Sequence, residues 1–221
     1  MTITTVLLDA GGVLLDEAEM EASRAAATVR FLTRHGHDYT RDRYRADVEE
    51  AVHGFCPDTY RYVFRKHGWE AAYAAFLAEW RPSRPPLRLM EGIADELRAL
   101  TRRFRLGIAG QYGAELLELL ESHDLLRCFA WRFTQDDFTL TKPDPRYLGQ
   151  IVEACGVDAR ECIVVGDRID KDVLPAKRLG MRTIRIRVGL HRRQRPRVPL
   201  EMPDVELEGV AGLADAAAQL V

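Results

Sequence analysis

Hydrophobic and polar positions follow two different rhythms along this chain. Near the N-terminus Ile3, Val6, Leu7 and Leu8 build an apolar stretch that stops on Asp9, and Gly11 and Gly12 follow at once. Apolar residues on neighbouring positions mark a strand covered on both faces, as in the middle of a parallel sheet. From Asp16 to about Trp80 alanines, charges and aromatics alternate at helical spacing, and Gly36 and residues 54–57 interrupt them. That pattern predicts about four helices. Pro82, Pro85 and Pro86 then form a stiff connection suited to a hinge between domains.

Beyond Leu87 helix and strand patterns alternate. Residues 93–101, 114–122, 145–154 and 173–179 read as helices, and so does the segment from about Leu213 onward. Residues 104–109, 129–133, 162–165 and 183–188 read as strands, with Val205 and Leu207 as a last short one. Repeated alternation of this kind predicts an α/β protein with a doubly wound, Rossmann-like parallel sheet. The helical block interrupts it directly after the first strand, so it reads as an insertion. The expected division is a core of residues 1–15 and 86–221 and an inserted helical domain of residues 16–85.

Composition narrows the class. A chain of 221 residues that is 47% hydrophobic, with a formal net charge of −2, has the material for a packed core and no global footprint for nucleic acid or an acidic membrane. The basic cluster His191-Arg192-Arg193-Gln194-Arg195-Pro196-Arg197 is local and reads as a solvated loop. Cys56, Cys128, Cys155 and Cys162 are scattered, which argues against a zinc site or a disulfide framework and fits a reducing cytoplasm. No apolar run approaches the roughly 20 residues of a membrane span, and no secretory signal is visible. A monomer and a homodimer are both compatible with the sequence.

Candidate chemistry gathers at strand ends. Asp9 stands where open α/β sheets bind their ligands. A second apolar strand, Cys162-Ile163-Val164-Val165, stops on Gly166-Asp167, with Asp170 and Asp172 in the next turn. Two carboxylates facing each other across a sheet edge repel unless a cation lies between them, and oxygen ligands suit Mg²⁺. Asp170 reads as a helix cap. Lys142, in Leu140-Thr141-Lys142-Pro143-Asp144-Pro145, is a proline-stiffened ammonium able to neutralise phosphate oxygens. The turn Gly107-Ile108-Ala109-Gly110-Gln111-Tyr112-Gly113 offers amides at Gly110 and Gln111 for a phosphate. Its spacing differs from the G-x-G-x-x-G of a dinucleotide site.

Together these residues resemble the haloacid dehalogenase-like hydrolases, in the branch with a helical cap inserted after the first strand. The resemblance rests on Asp9-Ala10-Gly11-Gly12-Val13-Leu14, the Gly110 turn, Lys142-Pro143-Asp144-Pro145, Gly166-Asp167 with Asp172, and Gly180-Met181. It implies a Mg²⁺-dependent phosphatase acting on a small phosphorylated metabolite through an aspartyl-phosphate. Asp9 would attack phosphorus. Mg²⁺ would be held by Asp9, the Gly11 carbonyl and Asp167, with Asp172 acting mainly through water in the metal's shell. Lys142 would steady Asp9 and the transferring group, and the cap would exclude water and choose the substrate. In the cap, Tyr60, Arg61, Arg65 and Lys66 are candidates to face that substrate.

Two positions depart from the family pattern. Gly11 stands where family phosphatases carry an acid–base aspartate, whose loss typically costs ~10²–10⁴ in rate. Gly110 stands where a Ser or Thr hydroxyl usually meets the phosphate, a loss of ~10²–10³ when such a donor is removed. Two alternatives therefore stand beside the phosphatase. One is an inactive relative that binds a phosphorylated ligand or a protein partner. The other cleaves carbon–halogen or carbon–phosphorus bonds, the latter with Lys66 as Schiff base.

Overall fold

The structure, a computed structural model, describes residues 2–221. It comprises two compact units: Leu87–Val221 together with the N-terminal segment through Asp16, and Glu17–Pro86. The first strand, β1 (Thr5–Leu8), is buried at every position.

The Glu17–Pro86 unit contains four helices, α1 (Ala18–Arg34), α2 (Arg41–His53), α3 (Thr59–Lys66) and α4 (Tyr73–Trp80). Their ends follow local chemistry. The Thr40 hydroxyl accepts the Arg43 amide at 3.2 Å to start α2, and the Asp58 carboxylate accepts the Arg61 amide at 2.9 Å to start α3. Phe31, Phe64 and Phe76 bring α1, α3 and α4 together, with ring centroids 5.2–6.3 Å apart. The third break, at 67–72, is one the glycines at 36 and 54 do not announce.

The other unit adds α5 (Ile93–Leu100), β2 (Arg105–Ile108), α6 (Ala114–Ser122), β3 (Phe129–Trp131), α7 (Arg146–Cys155), β4 (Cys162–Gly166), α8 (Leu174–Arg178), β5 (Arg182–Ile186), β6 (Val205–Leu207) and α9 (Leu213–Gln219). The six strands are parallel, in the order β3-β2-β1-β4-β5-β6. Successive side chains of β1 enter opposite cores. Val6 and Leu8 pack with Ile93 and Leu97 of α5, Leu120 of α6 and Leu213 of α9, whereas Leu7 packs with Leu148 and Ile151 of α7 and Ala176 of α8. Burying both faces is why β1 carries no alternation of polar residues.

Two elements differ from their sequence expectations. The turn after β4 is a π-helical turn, Ile169–Val173, ahead of a short α8. The amides of both Asp172 and Val173 donate to the Arg168 carbonyl, which widens the turn. The stretch after β5 forms 3-10 turns at Leu190–Arg193 and Pro199–Glu201 and is anchored from below. None of the four cysteines is in a disulfide, and no helix among the described residues is long and apolar enough to cross a membrane.

Candidate active site at the switch point of the sheet

In this strand order the chain runs outward from β1 on one side and from β4 on the other. The crevice at their C-terminal ends is where such sheets bind ligands. The register brings Leu8 opposite Val165, and the Asp9 amide donates to the Val165 carbonyl at 2.8 Å. Asp9 and Asp167 are therefore neighbours for a backbone reason. Asp172 returns to the same place from the π-turn, and carboxylate oxygens of Asp9, Asp167 and Asp172 lie within 4.8 Å of one another.

Lys142 closes the group from the loop before α7. Its Nζ donates to Asp9 Oδ1 at 2.7 Å and to Asp172 Oδ1 at 2.5 Å, and the residue is only 8% exposed. The Lys142–Pro143 peptide is cis. Burial works against the ammonium, but Asp172 and Asp9 outweigh it and hold Lys142 protonated well above the ordinary lysine range. Burial also pushes the Asp172 carboxyl above its usual range, against the pull of Lys142, and the Asp9 charge adds to that push. Asp172 Oδ2 accepts the Arg168 amide at 3.0 Å, so each of its oxygens has a donor. Gly166 makes the arrangement possible, since a Cβ there would stand 2.3 Å from Asp172 Cγ.

Three carboxylates gather around one ammonium in a largely buried cluster. Hard oxygen donors grouped in this way could hold a divalent cation such as Mg²⁺.

The turn after β2 supplies a different lesson. The Ala109 amide donates to the Leu8 carbonyl at 2.7 Å, bringing the tips of β1 and β2 together. A Cβ at Gly110 would fall 2.4 Å from Ala10 Cβ and 2.6 Å from the Ala10 nitrogen. Gly110 is thus required by Ala10, and its carbonyl accepts the Tyr147 hydroxyl at 3.4 Å. Gln111 follows as a half-buried residue at the same rim.

Around the acidic turn the structure corrects two expectations. Asp170 does not cap a helix: it accepts from Arg168 Nε and Nη2 at 3.1 and 2.6 Å and from Gln194 Nε2 at 2.9 Å. Nor is the 191–197 segment simply solvated, because Gln194 within it is fully buried. Beneath it lies Arg185 of β5, 1% exposed, which sequence reasoning misses. It alternates with Ile184 and Ile186, so it reads as outward-facing in a sheet whose two faces are both covered.

The candidates in the helical unit are engaged within that unit. The Tyr60 hydroxyl donates to Glu21, and the Arg24 guanidinium lies 3.7 Å from the Tyr60 ring centroid. Arg61 pairs with Glu70 at 2.8 Å, Arg65 lies beside the Tyr62 ring, and Lys66 pairs with Asp47 at 2.7 Å and with Glu50. Asp47 and Glu50 hold Lys66 protonated above its usual range, which works against the free amine a Schiff base needs.

Comparison with known proteins bears on the family and the fold. Glyceraldehyde 3-phosphate phosphatase of Methanopyrus kandleri is 35% identical over 85 residues, 38% of this chain and 36% of that protein. Phosphoglycolate phosphatase of Agrobacterium fabrum is 33% identical over 147 residues, 65% of this chain and 61% of that one. The matches thus span about a third to three fifths of these relatives. The solved structure of a conserved haloacid dehalogenase-like protein from Agrobacterium tumefaciens superposes with a TM-score of 0.70, covering 99% of both chains at 21% identity, a likeness of fold. The model of the haloacid dehalogenase-like hydrolases matches residues 3–180, a span that contains Asp9, Lys142, Asp167 and Asp172. The chain belongs to that hydrolase family.

Proposed function

We propose that this protein is a Mg²⁺-dependent phosphatase for a small phosphorylated metabolite, working through a phosphoryl group carried on Asp9. The observation that carries the reading is the joining of Asp9 and Asp172 by one buried ammonium, Lys142, beside Asp167 at the switch point. Asp9 attacks phosphorus in line, its Oδ–P bond forming as the ester P–O bond breaks, and the departing alkoxide takes a proton from solvent water. Lys142 holds the attacking carboxylate in place and offsets charge on the phosphoryl oxygens. Water then cleaves the acyl phosphate on Asp9, returning the carboxylate and inorganic phosphate. Asp9, Asp167 and the Gly11 carbonyl would hold Mg²⁺, which supplies positive charge against the phosphate oxygens. Asp172, both of whose oxygens already have donors, suits an indirect role.

The position of Glu17–Pro86, inserted directly after the strand that carries Asp9, supports its role as the cap that chooses the substrate. The activities for which the two relatives are named point to two- and three-carbon phosphorylated compounds as the first substrates to try. The test is phosphate release from p-nitrophenyl phosphate and such compounds with and without Mg²⁺. Turnover should depend on the metal and vanish in Asp9→Asn; turnover that persists unchanged in that variant overturns the reading.

A second reading, a binding protein with little turnover, is favoured by the two glycines. Gly11 donates no proton to a leaving group, and Gly110 brings no hydroxyl. The backbone at Gly11 lies outside the left-handed region, so an aspartate there meets no strain in φ. A gain of ~10²-fold or more in Gly11→Asp supports an attenuated phosphatase. No gain, with no turnover in the parent, supports the binding protein.

A further inference from the structure

The basic segment after β5 is the sequence feature that the phosphatase reading leaves without a role. We infer that Arg185 and Gln194 form an internal clamp through which this segment positions the acidic turn of the active site. The proposal rests on the functional reading above and extends it to two residues outside the acidic cluster.

Arg185 is a fully buried arginine on an interior strand next to the sheet edge, a placement that is costly unless its donors are met. They are met by the acidic turn and by the basic segment together. Its Nε donates to the Asp167 carbonyl at 3.3 Å, and its Nη1 donates to the Gln194 carbonyl at 3.1 Å and to Glu206 Oε1 at 2.9 Å. Its Nη2 donates to the His191 carbonyl at 2.8 Å. One planar group thus ties the backbone of a candidate metal ligand to two points on the strap.

Gln194 makes the second tie from the opposite direction. Its Oε1 accepts the Ile169 amide at 2.9 Å, and its Nε2 donates to Asp170 Oδ1 at 2.9 Å. The Asp170 carboxylate in turn holds the Arg168 side chain, and the Arg168 amide is the donor to Asp172 Oδ2. The clamp therefore grips the turn at residues 167, 169 and 170, on both sides of the amide that orients Asp172. Around it the exposed arginines 192, 193 and 195 face solvent, so the charged character of the segment and its buried function belong to different residues. Arg185 and Gln194 are positioning residues: they act on the acids through the backbone.

The experiment uses the full chain and two variants at position 194. Gln194→Leu removes both hydrogen bonds of the Gln194 side chain and leaves those of Arg185, and Gln194→Glu keeps the acceptor for the Ile169 amide while setting a carboxylate against Asp170. Arg187→Gln, on the same strand with Glu208 as partner, is the control. Three quantities are read: Mg²⁺ affinity by calorimetry, amide hydrogen exchange of residues 166–173 without metal, and kcat and KM for p-nitrophenyl phosphate. Gln194→Leu should speed exchange in that segment at least tenfold and weaken Mg²⁺ binding 10–100-fold. It should lower kcat while KM stays within twofold and the metal-free Tm moves by only a few degrees. Gln194→Glu should fall between it and the parent, and the control should match the parent. Mg²⁺ affinity of Gln194→Leu within twofold of the parent overturns the clamp. A parent that neither binds Mg²⁺ nor releases phosphate overturns the functional reading instead. Exchange then decides the clamp alone, and unchanged exchange in Gln194→Leu overturns it.

Discussion

Each unit of this protein buries an aspartate beside a lysine, and the two sites titrate in opposite directions. In the helical unit Asp47 accepts from Tyr39 Oη at 2.6 Å and Lys66 Nζ at 2.7 Å, and it lies 2.6 Å from His67 Nε2. Burial raises the Asp47 carboxyl, but Lys66, Tyr39 and His67 together carry it below the usual range. In the core unit Asp172 has one ammonium, shared with Asp9, and Asp167 is close by. Burial there wins, and the carboxyl is raised. Three side-chain donors meet Asp47 and outweigh its burial, whereas burial outweighs Lys142 and the Arg168 amide at Asp172. A raised carboxyl grouped with two further acids at the switch point of a sheet is the kind of perturbed group that marks a functional site.

Substitutions can break that contrast. The largest effect is expected at Lys142: Lys142→Met should lower phosphate release by ~10²–10³-fold in steady-state assays, since it removes positive charge from the reacting group. A comparable loss of turnover in Lys66→Met would erase the distinction. Next comes Asp47→Ala, which takes the partner from the buried Tyr39 hydroxyl and from His67, while Lys66 keeps Glu50. It should cost about 3 kcal/mol in denaturant unfolding with kcat intact.

A pH series sharpens the same point with Glu21. Burial lifts its carboxyl from 4.5 to about 7, even though Arg24 and Tyr60 pull the other way. The folded state thus holds this proton more tightly than the unfolded chain. The stabilisation is complete below pH 4.5 and is lost as pH rises through about 7. Between pH 5 and 8 the parent should lose roughly 2–3 kcal/mol that Glu21→Gln does not lose, measured by thermal unfolding of both. The smallest effect is expected for Lys66→Met on stability, under about 1 kcal/mol for a pair whose lysine is partly exposed, with turnover within twofold.

The residues legible in the sequence are those where an apolar run collides with a charge. Asp9 and Gly166-Asp167 stand out because β1 and β4 are apolar to their last residue, and Lys142 because a proline follows it. The six-strand parallel architecture follows from the same runs, and the helical block shows itself by its period. Arg185 is hidden by β5, whose isoleucines mimic a strand with one wet face. Gln194 is hidden by the arginines on either side of it. Asp170 misleads because an acid at the start of a helical turn resembles a cap, and only the side chains of Arg168 and Gln194 reveal its task. What the sequence leaves dark, in each case, is a polar residue whose partner lies more than twenty residues away or on a covered face.

The interlock of Ala10 with Gly110 bears on how this site can change over evolutionary time. A serine at position 110 meets both the Cβ and the backbone nitrogen of Ala10, so trimming Ala10 to glycine would not make room. The ends of β1 and β2 would have to separate, and Asp9 rides on the first of them. The missing hydroxyl is therefore a commitment of the main chain. Descendants of this sequence reach a hydroxyl-bearing site only by remodelling two strand ends together, whereas at position 11 φ sets no barrier to an acid–base group.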